Sequence, residues 1–281
     1  SFNIRNEKRP MSRIEQALEK AARQNKRSSV EISQPEPAPV DRTLSEPDNS
    51  DPVAQISHKV DNPMFAALRE KNDLIAEEYK KLRSLIIKLT KGDSFKNTLM
   101  VTSTVSGEGK SLTALNLAFA LAKEYDHSVL LVDTDLRRPS IHKYLGIDPE
   151  VGLIQCVKEK LPLNKALLMT GVGNMAILPA GGTLDDPVEF LSSNRMKEFI
   201  NKLKTEYPDR YIIFDTPPMQ PFADAYVLKD SIDSILFVVR ERAVRLHLVK
   251  KVLSELKNSS LLGVVYNDKH ASSENSSYYY Y

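Results

Sequence analysis

Thr104-Val105-Ser106-Gly107-Glu108-Gly109-Lys110-Ser111 is the segment of this chain whose residue types and order can do chemistry. It lies between an apolar run, Thr98 to Thr102, and a helical pattern from Leu112 to Glu124. That is the strand–loop–helix context a phosphate-binding loop requires. Gly107 and Gly109 allow a turn tight enough for backbone N–H groups to converge on phosphate oxygens, and the helix that follows favours anions at its N-terminus. Ser106, Gly107, Glu108, Gly109, Lys110, Ser111 and Leu112 are therefore candidate nucleotide-binding residues, with Lys110 against the β- and γ-phosphates and the Ser111 hydroxyl on Mg2+. Thr104 stands where G-x-x-x-x-G-K-[ST] has its first glycine.

Three carboxylates extend this set. Asp133 and Asp135 follow the apolar run Val129 to Val132, and Asp215 follows Tyr211 to Phe214. Residues two apart on an extended strand point the same way, so Asp133 and Asp135 can face one site. An aspartate that ends a strand is by itself more often a loop cap than a catalyst. In a parallel sheet, however, all three fall at the carboxyl edge beside the phosphate loop, where such sheets bind ligands. Asp135 and Asp215 are candidate Mg2+ ligands with Ser111, directly or through water.

The elements that must position these groups are short, continuous apolar runs: Thr98 to Thr102, Val129 to Val132, Met175 to Leu178, Tyr211 to Phe214, Ile235 to Val239 and Leu262 to Tyr266. Continuous apolarity predicts strands buried on both faces, as in a mainly parallel sheet covered by helices. Helical patterns lie between them, clearest at Leu112 to Glu124, Arg195 to Thr205 and Val244 to Leu256. Apolar residues make up 41% of the 281 and charged ones 27%, enough for a sizeable core and against wholesale disorder. A net charge of +2 gives no support for non-specific nucleic-acid binding. One cysteine, Cys156, can form neither an internal bridge nor a cysteine cluster, and a reducing compartment fits.

Four regions are expected. Residues 1–24 hold a leader and a short amphipathic helix opened by the capping-box pattern Ser12-Arg13-Ile14-Glu15. Residues 25–62, rich in Ser, Pro, Glu and Asp, read as a disordered linker. Residues 63–267 form the α/β domain, and 268–281 a disordered tail ending in Tyr278, Tyr279, Tyr280 and Tyr281.

With those motifs in order, the chain resembles the bacterial P-loop tyrosine kinases, the cytoplasmic autokinases of capsule and exopolysaccharide chain-length systems. Asp133-Thr134-Asp135-Leu136-Arg137-Arg138-Pro139 is similar to their second Walker motif. Ile213 to Pro218 is similar to their Walker B, with Ala223-Asp224-Ala225 beyond. The likeness runs from about Asp61 to the C-terminus. It implies a P-loop NTPase fold, ATP and Mg2+ as cofactors, and transfer of phosphate to tyrosine. Lys110, Asp133 and Asp135 would be catalytic, with Asp133 accepting or orienting the tyrosine proton; the roles of the two aspartates could be reversed.

The resemblance also implies that Tyr278 to Tyr281 are phosphorylated by a neighbouring subunit, and that Asn267 lies near the adenine. Glu77-Glu78-Tyr79-Lys80-Lys81-Leu82-Arg83 resembles a ring-forming Glu-x-x-Arg-x-x-Arg motif, through Glu77 and Arg83, with Lys80 in place of the first arginine. The same charges also fit ordinary solvated helix pairs. The implied partners are further copies of the chain, a membrane-embedded chain-length regulator as activator at the inner face of the cell membrane, and a tyrosine phosphatase. A partition- or positioning-type P-loop ATPase is the alternative, together with a nucleotide-gated scaffold. Val105 stands where the partition and division-site ATPases carry a second lysine, and the tyrosine tail also favours the kinase.

Overall fold

The computed structural model describes residues 53–268 apart from 57–59, 61, 70–72, 93, 125–126 and 258. The predicted N-terminal helix, most of the predicted linker and Tyr278 to Tyr281 lie outside the described residues.

Eight strands form one sheet: β1 (Ala54–Gln55), β2 (Thr98–Ser103), β3 (Ser128–Asp133), β4 (Leu168–Met169), β5 (Asn174–Leu178), β6 (Arg210–Asp215), β7 (Ser234–Arg240) and β8 (Leu261–Asn267). Their spatial order is β1-β4-β5-β3-β6-β2-β7-β8. Every neighbouring pair is parallel except β4 with β5. The longer helices are α1 (Leu74–Thr90), α2 (Lys110–Ala122), α3 (Asn194–Glu206) and α4 (Leu246–Glu255).

The apolar runs behave as their continuity requires. β2 and β6 are buried along their whole lengths, and alternate residues feed two cores on opposite faces of the sheet. Met100, Leu130, Val132, Ile212, Phe214 and Phe237 pack on one face; Leu99, Val101, Leu131, Ile213 and Val238 pack on the other. The second face is covered by α2, whose Leu115, Phe119 and Leu121 are fully buried.

α2 is overlaid in turn by α1 and the 66–68 turn, so it is buried almost all round and has no polar face. Its one buried amide, Asn116, accepts from the Ala67 N–H (3.0 Å) and donates to the Met64 carbonyl (3.1 Å). The arrangement fixes the helix that begins at Lys110.

Two short strands differ from the expectation. Ala54–Gln55 belong to the stretch expected as linker, yet pair in parallel with Leu168–Met169. Both β1 residues are exposed. The pair is held by backbone hydrogen bonds and by the flanking Val53 and Ile56, which pack against the two cores, a stretch too short to mark the composition.

Candidate active site

The parallel strands all point their carboxyl ends at one edge, and the turn after β2 lies there between the ends of β6 and β7. Gly107 and Gly109 take left-handed backbone angles (φ 86° and 92°), and Gly109 caps α2. Those two positions need glycine. Thr104 does not take a left-handed angle, so threonine is accommodated at the place of the usual first glycine. It is buried, and its carbonyl accepts from the Gln220 N–H (2.9 Å), which ties the loop to the segment after β6.

Lys110 turns inward from the first turn of α2. Its ammonium lies 2.7 Å from Asp135 Oδ2 and 3.6 Å from Asp215 Oδ1, and donates to Ser111 Oγ at 3.1 Å. Burial works against its charge, but Asp215 and Asp135 outweigh burial and raise its pKa above the usual lysine value. Lys110 is therefore a fixed cation.

Asp133 and Asp215 are register partners on adjacent strands, both fully buried. Asp133 Oδ2 accepts from the N–H groups of Ser140 and Ile141 (both 3.1 Å), and Oδ1 from that of Asp135 (3.2 Å). Burial, then the neighbouring Asp215 charge, pushes its pKa to about 7 against these hydrogen bonds. A carboxyl group whose proton affinity is raised in this way suits a general base or a proton-orienting group.

Asp215 differs. Burial raises its pKa, while Lys110 and Ser111 pull the other way, and neither carboxylate oxygen has a hydrogen bond. A buried carboxylate without hydrogen bonds is costly unless something cationic completes it. Beside a hydroxyl, a phosphate-binding turn and a second carboxylate, its donor set fits a hard divalent cation. Among the described residues no group of three or more His, Cys, Asp or Glu is arranged to hold a metal alone. Mg2+ sites completed by phosphate oxygens and water need only one or two carboxylates.

The sequence-predicted residues Ser106 to Leu112, Asp133, Asp135 and Asp215 thus meet at one edge. Asn267 ends β8 against the same loop, donating from Nδ2 to the Glu108 carbonyl (3.0 Å). Glu77 and Arg83 lie elsewhere, on α1. Glu77 is exposed and paired with Lys80 (2.5 Å). Arg83 reaches the far end of α2, at Glu124 (2.7 Å) and the Ala120 carbonyl (3.3 Å).

Sequence reasoning did not single out the Arg137–Asp224 pair as a site feature. Arg137 donates to both oxygens of the fully buried Asp224 (2.6 and 3.1 Å) and to the Asp185 carbonyl (2.6 Å). It thereby clamps the loop after β3 to the segment after β6. Arg137 and Asp224 each stand in a motif quoted above; their pairing, across 87 positions, was not visible.

Residues 99–277 match the CobQ/CobB/MinD/ParA nucleotide binding domain. The chain is 34% identical over 221 residues to tyrosine-protein kinase YwqD of Bacillus subtilis, covering 76% of this chain and 90% of that one. It is 29% identical over 222 residues to a putative tyrosine-protein kinase, CapB, of Staphylococcus aureus, covering 78% and 95%. Among solved structures, the chimerical protein CapA2B2 superposes with a TM-score of 0.68 at 26% identity, over 79% of this chain and 95% of that one. The kinase domain of Escherichia coli tyrosine kinase ETK superposes with a TM-score of 0.66 at 25% identity, over 79% and 93%. With a carboxyl-edge phosphate loop, an inward lysine and three gathered aspartates, the chain belongs to the bacterial tyrosine-protein kinases built on the CobQ/CobB/MinD/ParA nucleotide-binding fold.

Proposed function

We propose that this chain transfers the γ-phosphoryl group of ATP to tyrosine hydroxyls, with Tyr278, Tyr279, Tyr280 and Tyr281 of a neighbouring copy as acceptors. The observation that carries the reading is the meeting of Lys110 with Asp133, Asp135 and Asp215 at the mouth of the 104–111 loop.

Phosphoryl transfer asks the protein for position and charge rather than covalent chemistry. The loop's N–H groups and Lys110 hold the phosphates. Ser111, Asp215 and Asp135 are the groups that would hold Mg2+. A cation held there would supply positive charge to offset the charge of the phosphates. In the structure Lys110 is held by Asp135 (2.7 Å), so an arriving phosphate exchanges one anionic partner for another.

Asp133 takes or orients the proton of the attacking phenol, which near pKa 10 is mostly protonated at neutral pH. Its three backbone N–H contacts fix the carboxylate so that it does not swing toward the metal position.

The acceptor tail follows Asp268, the last described residue of the chain. Four tyrosines in a polar stretch offer a series of nucleophiles. Each phosphorylation adds nearly two negative charges and removes one nucleophile. Modified tails then repel one another and leave an acidic site, loosening a ring of subunits joined through Glu77 and Arg83. Control of exopolysaccharide synthesis or export, with a membrane-embedded chain-length regulator as activator and a tyrosine phosphatase as opponent, completes this reading. No helix of the described residues is long and apolar enough to cross a membrane, in keeping with recruitment to the inner face of the cell membrane through a partner.

Mixing two variants tests transfer between copies. A Lys110→Met chain with its tail intact is incubated with ATP and a chain whose four tail tyrosines are phenylalanine. Phosphotyrosine on the Lys110→Met chain is expected; none on either chain would remove the trans-acting reading.

A further inference from the structure

The phosphate loop contains a side chain that the phosphoryl transfer does not use. Glu108 is fully buried, and its carboxylate turns back into the loop rather than out to solvent. Oε2 accepts from the Val105 N–H (2.8 Å) and Oε1 from the Arg240 N–H (3.3 Å), at the end of β7. From the far side Asn267, at the end of β8, donates to the Glu108 carbonyl (3.0 Å), while its Oδ1 accepts from the Asp268 N–H (2.9 Å). Asn267 presses on the loop: a Cβ placed on Gly109 would lie 2.1 Å from its Nδ2. Arg240 closes the frame through its guanidinium, with Asp268 at 2.7 Å.

We propose that Glu108 and Asn267 are positioning residues that hold the 104–109 turn in its phosphate-accepting shape before nucleotide arrives, by fastening it to the ends of β7 and β8. A turn with two left-handed glycines and converging N–H dipoles has no local reason to stay in that shape when empty. A carboxylate inside the turn supplies an anion to the Val105 N–H and ties it to the end of β7. The ordering cost is met within the fold, and nucleotide binds the more tightly for it. Asn267 then acts through the loop, as a brace. This inference rests on the nucleotide-site reading above, and the same titration separates the two.

The test is calorimetric titration of the full chain with Mg·ADP, beside kcat and the KM for ATP. Glu108→Gln keeps one acceptor but turns an NH2 toward an N–H; Glu108→Ala leaves both donors unpaired. The Kd is expected to rise about tenfold for Glu108→Gln, more for Glu108→Ala, and about tenfold for Asn267→Ala. The double variant Glu108→Gln with Asn267→Ala should lose less than the product of the single losses, because both act on one brace. Activity at saturating ATP should stay within about threefold, a KM-against-kcat split that general destabilisation would not give. If Glu108→Gln fails to fold, Asn267→Ala, on an edge strand, is titrated with magnesium pyrophosphate, which carries no base: a loss like that for Mg·ADP supports the brace, and an unchanged Kd overturns it. Kd values within twofold of wild type, or losses confined to kcat, overturn the brace. A wild-type chain that binds no Mg·ADP overturns the nucleotide site itself.

Discussion

Two aspartates flank the central strand β2, at opposite edges of the sheet. Asp233, at the amino edge, is saturated: it accepts from the Thr98 N–H (3.2 Å) and hydroxyl (2.7 Å), and its other oxygen pairs with Lys204 (2.6 Å). Asp215, at the carboxyl edge, is fully buried, with no hydrogen bond to either oxygen and Lys110 no nearer than 3.6 Å. The first acid stitches a strand start to its neighbour and is complete within the chain. The second is only partly compensated within the chain, by the nearby Lys110 charge and Ser111. Fold-holding and ligand-holding acids are thus told apart by what their oxygens still lack.

The largest effect belongs to Lys110, the cation that Asp135 and Asp215 face. Lys110→Met should lower phosphorylation by about 10²–10³-fold, as removal of one fixed transition-state donor does, in a fixed-time assay with labelled ATP. Asp215→Asn sharpens the contrast. Activity should fall about a hundredfold while the thermal midpoint holds or rises, because a buried charge disappears. A clear drop in midpoint would mean that Asp215 is structural after all.

Asp233→Ala should do the reverse. It costs about 1–3 kcal/mol of unfolding free energy in urea titrations and leaves kcat per folded molecule unchanged. The smallest stability effect is at α1: Glu77→Ala should cost less than about 0.5 kcal/mol. Sedimentation velocity should nevertheless show smaller assemblies, and an unchanged profile would take Glu77 out of the interface.

Much of the scaffold was legible because its signal is local. Strands at 98–103, 128–133, 174–178, 210–215, 234–240 and 261–267 fall on the continuous apolar runs, extended by a residue at one or both ends. Their continuity reports burial on both faces, which the two cores show. β1 and β4 were not legible, since two-residue edge pairs are made by backbone groups that every sequence possesses. The meeting of the phosphate loop with Asp133, Asp135 and Asp215 followed from strand ends and parallel order.

What the sequence withheld was the partner of each polar group. Arg83, read as an interface residue, is drawn to Glu124 and the end of α2 in its own chain. Asn267, placed near the base, spends an amide hydrogen on Glu108. The burial of Glu108 depends on N–H groups separated by 135 positions, which no pattern along the chain displays.

Incubation of the purified chain with γ-labelled ATP and Mg2+, followed by peptide mapping, tests the central claim most directly. Label on Tyr278 to Tyr281 in the wild-type chain, lost in Lys110→Met, is the predicted result. Phosphate release with no labelled peptide, or label that survives Lys110→Met, would contradict it.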